Sequence, residues 1–103
     1  MALKAAFIFL APGANPAEHR SVVRTPEVEL TTIGASSYEQ AEKAARSLLD
    51  QGIQAIELCG GFGAAGTARM AAVAGARAAV GAVRFDGHPG LGGKSGDQVF
   101  AQA

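Results

Sequence analysis

The residues best suited to chemistry lie in two segments of the chain, 56–63 and 83–90. In the second segment His88 follows Asp86 by two residues. An imidazole has an ordinary pKa of about 6.5, so it can act as a general acid or base that a neighbouring carboxylate orients. A solvated histidine in a glycine-rich loop is the structural alternative. If the protein is an enzyme, we expect His88 and Asp86 to transfer protons.

The first segment contains the chain's one cysteine, Cys59, and a run of glycines. A thiol just before a helix N-terminus can become a nucleophile, although a small buried side chain at a strand end is the simpler alternative. From Gly61 to Gly66 the sequence matches G-x-G-x-x-G, whose backbone N–H groups can approach a phosphate or carboxylate. A tight strand–helix turn would need the same glycines, and a dinucleotide site would need a second such half. The residues expected to contact a ligand here are Gly60, Gly61, Phe62 and Gly63.

Glu57 is the one charge in an otherwise apolar predicted strand, so it must be paired or functional. Arg84, in the next predicted strand, is its obvious partner. A structural Glu57–Arg84 ion pair and a shared contact with a ligand are both open. The two histidines have no clustered carboxylates or cysteine spacing beside them, so no metal site is predicted. The spacing identifies no cofactor.

These residues are positioned by alternating strands and helices. Apolar runs predict strands, helical spacing predicts helices, and residues 95–103 have room for one helical turn. This order is typical of an α/β fold, a small parallel sheet with helices on both faces, similar to half of a Rossmann-like or flavodoxin-like fold. We expect four strands in the order 2-1-3-4, with the second at an edge because its residues alternate in polarity. The predicted strands are 3–10, 27–33, 53–59 and 78–85, and the predicted helices are 15–24, 37–51 and 64–74.

Ligands of open parallel sheets bind beyond the carboxyl ends of the strands. The first strand ends at 11–15, the third at 57–61 and the fourth at 84–88. If the first and third strands are neighbours, both chemistry-bearing segments meet at this edge. The sequence therefore predicts a site there for a small carboxylate or phosphate metabolite.

The length of 103 residues predicts a single domain over residues 1–103. Nine Lys and Arg balance nine Asp and Glu, and the basic residues are dispersed, which argues against nucleic-acid or membrane partners. One cysteine permits no intrachain disulfide and is consistent with a cytoplasmic location. The 23 Ala and 14 Gly leave few large side chains for a core. Because a small sheet also exposes its edges, we expect a homodimer or larger homo-oligomer.

Two motifs, I-E-L-C-G-G-F-G at 56–63 and V-R-F-D-x-H-P-G at 83–90, resemble those of a family of small, functionally uncharacterised bacterial proteins. The start of the first strand and the segment from Pro26 also look similar, so the resemblance spans most of the chain. It carries no established activity. It implies only that the following residues match motif positions of the family: Cys59, Gly60, Gly61, Gly63, Arg84, Asp86, His88 and Pro89.

Three functions fit the sequence. The first is an enzyme or sensor for a small anionic metabolite, in which Arg84 and the glycine loop hold the anion and His88 and Asp86 move protons. The second is a non-catalytic oligomerisation or interaction module whose alanine-rich surfaces and tail contact a neighbour. The third is a redox protein that uses Cys59.

Overall fold

The computed structural model describes residues 2–101 as one five-stranded sheet with three α-helices. Before the last helix lies a single 3₁₀ turn, Pro89–Leu91. In chain order the elements are β1 (Leu3–Leu10), β2 (Arg20–Arg24), β3 (Val28–Ala35), α1 (Tyr38–Asp50), β4 (Ala55–Leu58), α2 (Ala64–Ala74), β5 (Ala79–Ala82) and α3 (Gly96–Phe100).

The strand order is β2-β3-β1-β4-β5. Its four parallel strands, β3, β1, β4 and β5, have the order predicted from the sequence. The prediction missed β2, which pairs antiparallel with β3 and makes the sheet mixed. The strand expected at an edge, β3, is therefore an inner strand. Its alternating polarity arises because one face of the sheet packs against the helices and the other face is uncovered.

The helix predicted over 15–24 is wrong, because residues 16–18 form only a turn. The side chain of Asn15 does accept the N–H two residues on, at 2.9 Å, as an N-cap does. From Arg20 onward the chain is extended instead. The β-branched Val22 and Val23 favour a strand, and β3 offers partners for the backbone N–H and C=O groups.

Both long helices pack on one face of the sheet and contact each other, whereas helices on both faces were predicted. The connections through α1 and α2 advance across the sheet in the same direction, and right-handed crossovers then place both helices on the same side. The return from β1 to β3 runs the other way, so a helix there would cover the opposite face. Because that connection contains β2, no described helix lies on the opposite face.

The core lies between the sheet and the two long helices. Alternate strand residues point into it, among them Ile8 on β1, Ile33 on β3 and Leu58 on β4, all almost fully buried. The intervening residues point to the uncovered face, where the partly buried Phe7 pairs with the exposed Glu57. The two faces of the same strands therefore differ sharply in burial.

Candidate functional site

The glycine-rich loop lies between the carboxyl end of β4 and the start of α2, as the sequence predicts. The N-cap of α2 is Gly63, which has no side chain to cap the helix. Such a helix start leaves backbone N–H groups without partners in the helix itself, and it attracts negative charge.

In the structure a carboxylate of the same chain occupies this position. Asp97, near the start of α3, accepts the Ala65 N–H at Oδ2 (2.9 Å) and the Gly66 N–H at Oδ1 (3.0 Å). Burial of Asp97 acts to raise the pKa of its carboxyl, but these two N–H groups and the Tyr38 hydroxyl outweigh that effect and hold the pKa below its usual range. The predicted anion position at the start of α2 is thus filled by an aspartate.

Tyr38 joins α1 to the glycine loop. Its fully buried hydroxyl donates to Asp97 Oδ1 at 2.7 Å and accepts the Gly63 N–H at 3.0 Å. Its ring stacks on Phe62, with ring centroids 5.6 Å apart, and also contacts Phe100 of α3. Burial raises the pKa of the Tyr38 hydroxyl far above its ordinary value, although the Gly63 N–H opposes this. The hydroxyl therefore remains a hydrogen-bond donor at physiological pH.

Arg69 of α2 completes this cluster. Its guanidinium lies 5.3 Å from the centre of the Tyr38 ring and forms two hydrogen bonds of 3.0 Å to the carboxylate of Glu42 on α1. Hydrogen bonding to Arg69 lowers the pKa of the Glu42 carboxyl, even though desolvation opposes it. The charge of Arg69 is therefore committed to holding α1 and α2 together.

The glycines of the motif are explained by close packing inside the chain. A Cβ on Gly63 would overlap the carboxylate of Asp97, and one on Gly66 would overlap the Tyr38 hydroxyl. A Cβ on Gly96 would overlap the backbone carbonyl of Gly61. Two of the three motif glycines, Gly63 and Gly66, are thus required by the docking of α3 and Tyr38, whereas a Cβ on Gly61 would come no closer than 3.2 Å, to Cys59 Sγ. Phe62, between the glycines, is a core residue.

Cys59 is partly buried at the end of β4. Its sulfur accepts hydrogen bonds from the Leu10 N–H at 3.3 Å and the Gly61 N–H at 3.2 Å. The thiol thus joins the carboxyl end of β1 to the glycine loop. Its side chain packs against the core cluster, which agrees with the structural alternative considered for it.

The predicted ion pair between Glu57 and Arg84 does not form. Glu57 pairs in register with Gly81 and points to the uncovered face, whereas Arg84 lines a cavity against α2 on the other face. Arg84 instead donates to Asp86 Oδ1 at 3.0 Å, an exposed pair of the kind that contributes little stability. Apolar patterns identify strands, but they do not give the register between two strands. In the observed register Glu57 pairs with Gly81, and Arg84, three positions beyond Gly81, lies on the opposite face.

His88 lies near the glycine-rich loop but forms no hydrogen bond with Asp86. Its Nδ1 accepts the Gly90 N–H at 2.9 Å, so the neutral ring carries its proton on Nε2. The imidazole packs on Phe85, with centroids 4.6 Å apart, and Phe85 in turn lies against Gly60. The two predicted segments are therefore brought together, by Phe85 and by the docking of α3, while Asp86 turns to Arg84.

A cavity of about 440 Å³ lies between α2 and the end of β5, at the predicted edge of the sheet. Three of the predicted ligand-binding residues line it, namely Phe62, Gly63 and Arg84. The predicted catalytic residues Cys59, Asp86 and His88 are not among its lining residues. The remaining lining residues are Ala64, Thr67, Ala68, Ala71 and Ala82.

Sequence reasoning missed Tyr38 and Asp97, which organise this region. The spacing Ser95 to Gln98 was the available signal, because both halves of a capping box form at the start of α3 and fix Asp97 in its first turn. The helical spacing of apolar residues in 37–51 places Tyr38 on the buried side of the predicted helix, but nothing local indicates a partner 59 residues away.

Two other kinds of feature, a cluster of metal ligands and a membrane-spanning helix, are absent from residues 2–101. No three His, Cys, Asp or Glu side chains among them lie close enough to hold a metal ion together. None of the described helices combines the length and apolar character needed to cross a membrane.

The fold and this edge of the sheet define a small α/β protein in which α3 of the same chain packs on the glycine-rich loop. Its sequence matches the family of unknown function DUF6506 over residues 3–98, so the chain belongs to that family. Searches of curated proteins and of solved structures found no match.

Proposed function

We propose that this protein binds a small organic anion, a carboxylate or a phosphate, in the cavity between α2 and β5, and that it does so in the cytoplasm. The observation that carries the proposal is the guanidinium of Arg84 at the mouth of a cavity beside the first turn of a helix. Arg84 is held only by its exposed pair with Asp86, so an incoming anion can compete for it.

The rest of the cavity suits a ligand of this kind. Asp97 takes the N–H groups of Ala65 and Gly66, but among residues 2–101 nothing accepts the N–H of Ala64. That N–H and the Thr67 hydroxyl can therefore donate to the anion beside Arg84. The alanine walls would contact a short hydrocarbon group.

An enzymatic form of the proposal extends the ligand past Arg84 towards His88. The Nε2–H of His88 would then donate a hydrogen bond to the ligand, and Asp86, freed from Arg84 by the bound anion, would act as the base that accepts a proton from it. His88→Ala would abolish turnover but leave ligand affinity within about twofold, whereas a purely binding function predicts no turnover to lose.

Binding is tested by titrating the protein with acetate, succinate and inorganic phosphate in a calorimeter. Loss of a charge-assisted contact in Arg84→Gln should weaken binding about tenfold or more. The matched control is Arg77→Gln, another exposed arginine, which pairs with Asp50 outside the cavity. Equal affinity in both variants, or no binding by the wild type, would refute the proposal.

A second candidate, self-association through α2, is favoured by a different observation. All five exposed residues of α2 are alanines, although a helix facing water normally carries charged side chains there. A twofold axis would place this surface against the same surface of a second copy, and small side chains permit a close approach. The five residues are Ala64, Ala65, Ala68, Ala71 and Ala72.

Light scattering distinguishes this candidate. Ala68→Glu should convert a dimer to a monomer, while Ser47→Glu, on the outward side of α1, should leave the assembly unchanged. A wild-type monomer at all accessible concentrations, or a dimer that survives Ala68→Glu, would exclude α2 as the interface.

A further inference from the structure

A second cavity, of about 400 Å³, lies between the segment that precedes β2 and the side of α1. It is separate from the cavity at α2 and shares no lining residue with it. Its floor is apolar, because it is lined by Ile33 of β3 and Leu48 of α1, each 1% exposed, and by Ala44 of α1. The base of the cavity therefore offers an apolar surface to a hydrocarbon or aromatic group.

Apart from the Ser47 hydroxyl, the polar side chains around this floor offer hydrogen-bond donors. Gln40 Oε1 accepts both the N–H and the hydroxyl of Ser36, each at 2.9 Å. Since a backbone N–H can only donate, this contact fixes the orientation of the amide and leaves Gln40 Nε2 available. The Asn15 side chain is oriented in the same way. Its Oδ1 accepts the Ala17 N–H at 2.9 Å, and its Nδ2 remains available as a donor. Each amide oxygen therefore accepts within the chain, and neither amide nitrogen has an acceptor among residues 2–101.

The charges at the rim are positive. Arg20 and Lys43 line the cavity, and no Asp or Glu does. Arg20 forms no ion pair with any residue between 2 and 101. Lys43 has only an exposed contact of 3.4 Å with Glu39, which solvent weakens. A ligand that enters meets two cations and two amide donors above an apolar floor.

We propose that this cavity is a binding site for a hydrophobic carboxylate, an acid that joins one carboxylate to an aromatic ring or a short branched hydrocarbon chain. The carboxylate lies between Arg20 and Lys43 and accepts from the amide of Gln40, and the hydrocarbon contacts Ile33 and Leu48. This inference does not depend on the function proposed for the cavity beside Arg84.

The test is a titration of ¹⁵N-labelled protein with benzoate, followed through its amide NMR signals, with benzyl alcohol as the uncharged analogue. Benzoate should shift signals of residues 15–20 and 40–48 in a saturable manner, and benzyl alcohol should bind about tenfold or more weakly. If the two probes bind equally, the carboxylate is not recognised and the proposal fails.

Arg20→Gln should weaken benzoate binding by about tenfold or more. Arg24→Gln is the matched control, because Arg24 lies at the other end of β2, pairs with Glu29 and does not line the cavity. Arg84→Gln should leave benzoate shifts at 15–20 and 40–48 unchanged, which separates this site from the one proposed at α2. Retained affinity in Arg20→Gln, or shifts confined to α2 and β5, would overturn the proposal.

Inorganic phosphate tests the apolar part of the assignment. It should shift the signals near Arg20 and Lys43 only weakly, because it makes no contact with the floor. If phosphate binds as tightly as benzoate, the site recognises charge alone and the hydrophobic carboxylate is wrong.

Discussion

The two long helices lie side by side on one sheet face, but the N–H groups of their first turns are capped in different ways. α1 is capped from its own sequence: Ser37 Oγ accepts the Gln40 N–H at 3.1 Å, and Gln40 reaches back to Ser36. α2 begins at a glycine without a side chain, and its cap, Asp97, comes from more than 30 residues further along the chain.

Their outward faces differ in the same sense. The exposed positions of α1 are charged or polar, whereas those of α2 are all alanine. α1 is thus complete within its own segment. α2 needs a distant segment at its start, and its outward face is suited to contact with a ligand or a second copy. The difference supports the function that we propose at α2, where the start of the helix depends on a distant segment.

The largest expected effect tests whether α3 is an integral part of the fold. Phe100 is 3% exposed and contacts Tyr38, so Phe100→Ala should lower the free energy of unfolding by about 3–5 kcal/mol in urea denaturation. Val99→Ala, next to it but exposed, should cost less than about 0.5 kcal/mol. Equal losses in the two variants would mean that α3 does not dock on α1 and α2.

The close approach of α3 to the glycine loop is tested by adding one methyl group. In Gly96→Ala the new Cβ meets the Gly61 carbonyl, which is backbone and cannot move away cheaply, so we expect a loss of about 3 kcal/mol. Gly81→Ala is the control because nothing lies within 4 Å of its Cβ position. Urea denaturation should show no loss there, and a tolerated Gly96→Ala would contradict the packing.

The two caps can be compared directly. Ser37→Ala removes a local cap and should cost about 1 kcal/mol. Asp97→Ala removes the partners of two N–H groups and of the buried Tyr38 hydroxyl, so it should cost about 2–3 kcal/mol. Thermal and urea unfolding of both variants measure the difference. A smaller loss for Asp97→Ala than for Ser37→Ala would reverse the comparison.

The remote cap should also make stability depend on acid. The pKa of the Asp97 carboxyl is lower in the folded chain than in the unfolded one, so its contribution is full above the unfolded pKa of about 4 and is lost as the pH falls through the folded pKa. Below pH about 4 the wild type should therefore lose stability more steeply than Asp97→Asn. Parallel stability curves for the two proteins would show that Asp97 is not held as an anion.

The sequence was sufficient for features determined by neighbouring residues. The α2 helix occupies 64–74 as predicted, and the four parallel strands have the predicted order, because apolar runs and right-handed crossovers determine both. The helix predicted at 15–24 is absent because the hydrogen bond from the Ala17 N–H to Asn15 closes only a turn, while pairing with β3 decides the conformation of the rest.

The candidate site was predictable in position but not in its contacts. The carboxyl ends of β4 and β5 do gather the two motif segments, and Arg84 does line a cavity there. The role of the glycines could not be read locally, since it depends on Tyr38 and Asp97, which meet across 59 residues. The ion pair between Glu57 and Arg84 is predicted because their strands are neighbours, but in the structure the two residues point to opposite faces.

A double-mutant cycle between Tyr38 and Asp97 tests most directly that the C-terminal segment caps α2. The free energy of unfolding is measured for the wild type, Tyr38→Phe, Asp97→Ala and the double variant. A hydrogen bond of 2.7 Å between these side chains predicts a coupling energy of about 1 kcal/mol or more. Additive losses, with a coupling energy near zero, would contradict it.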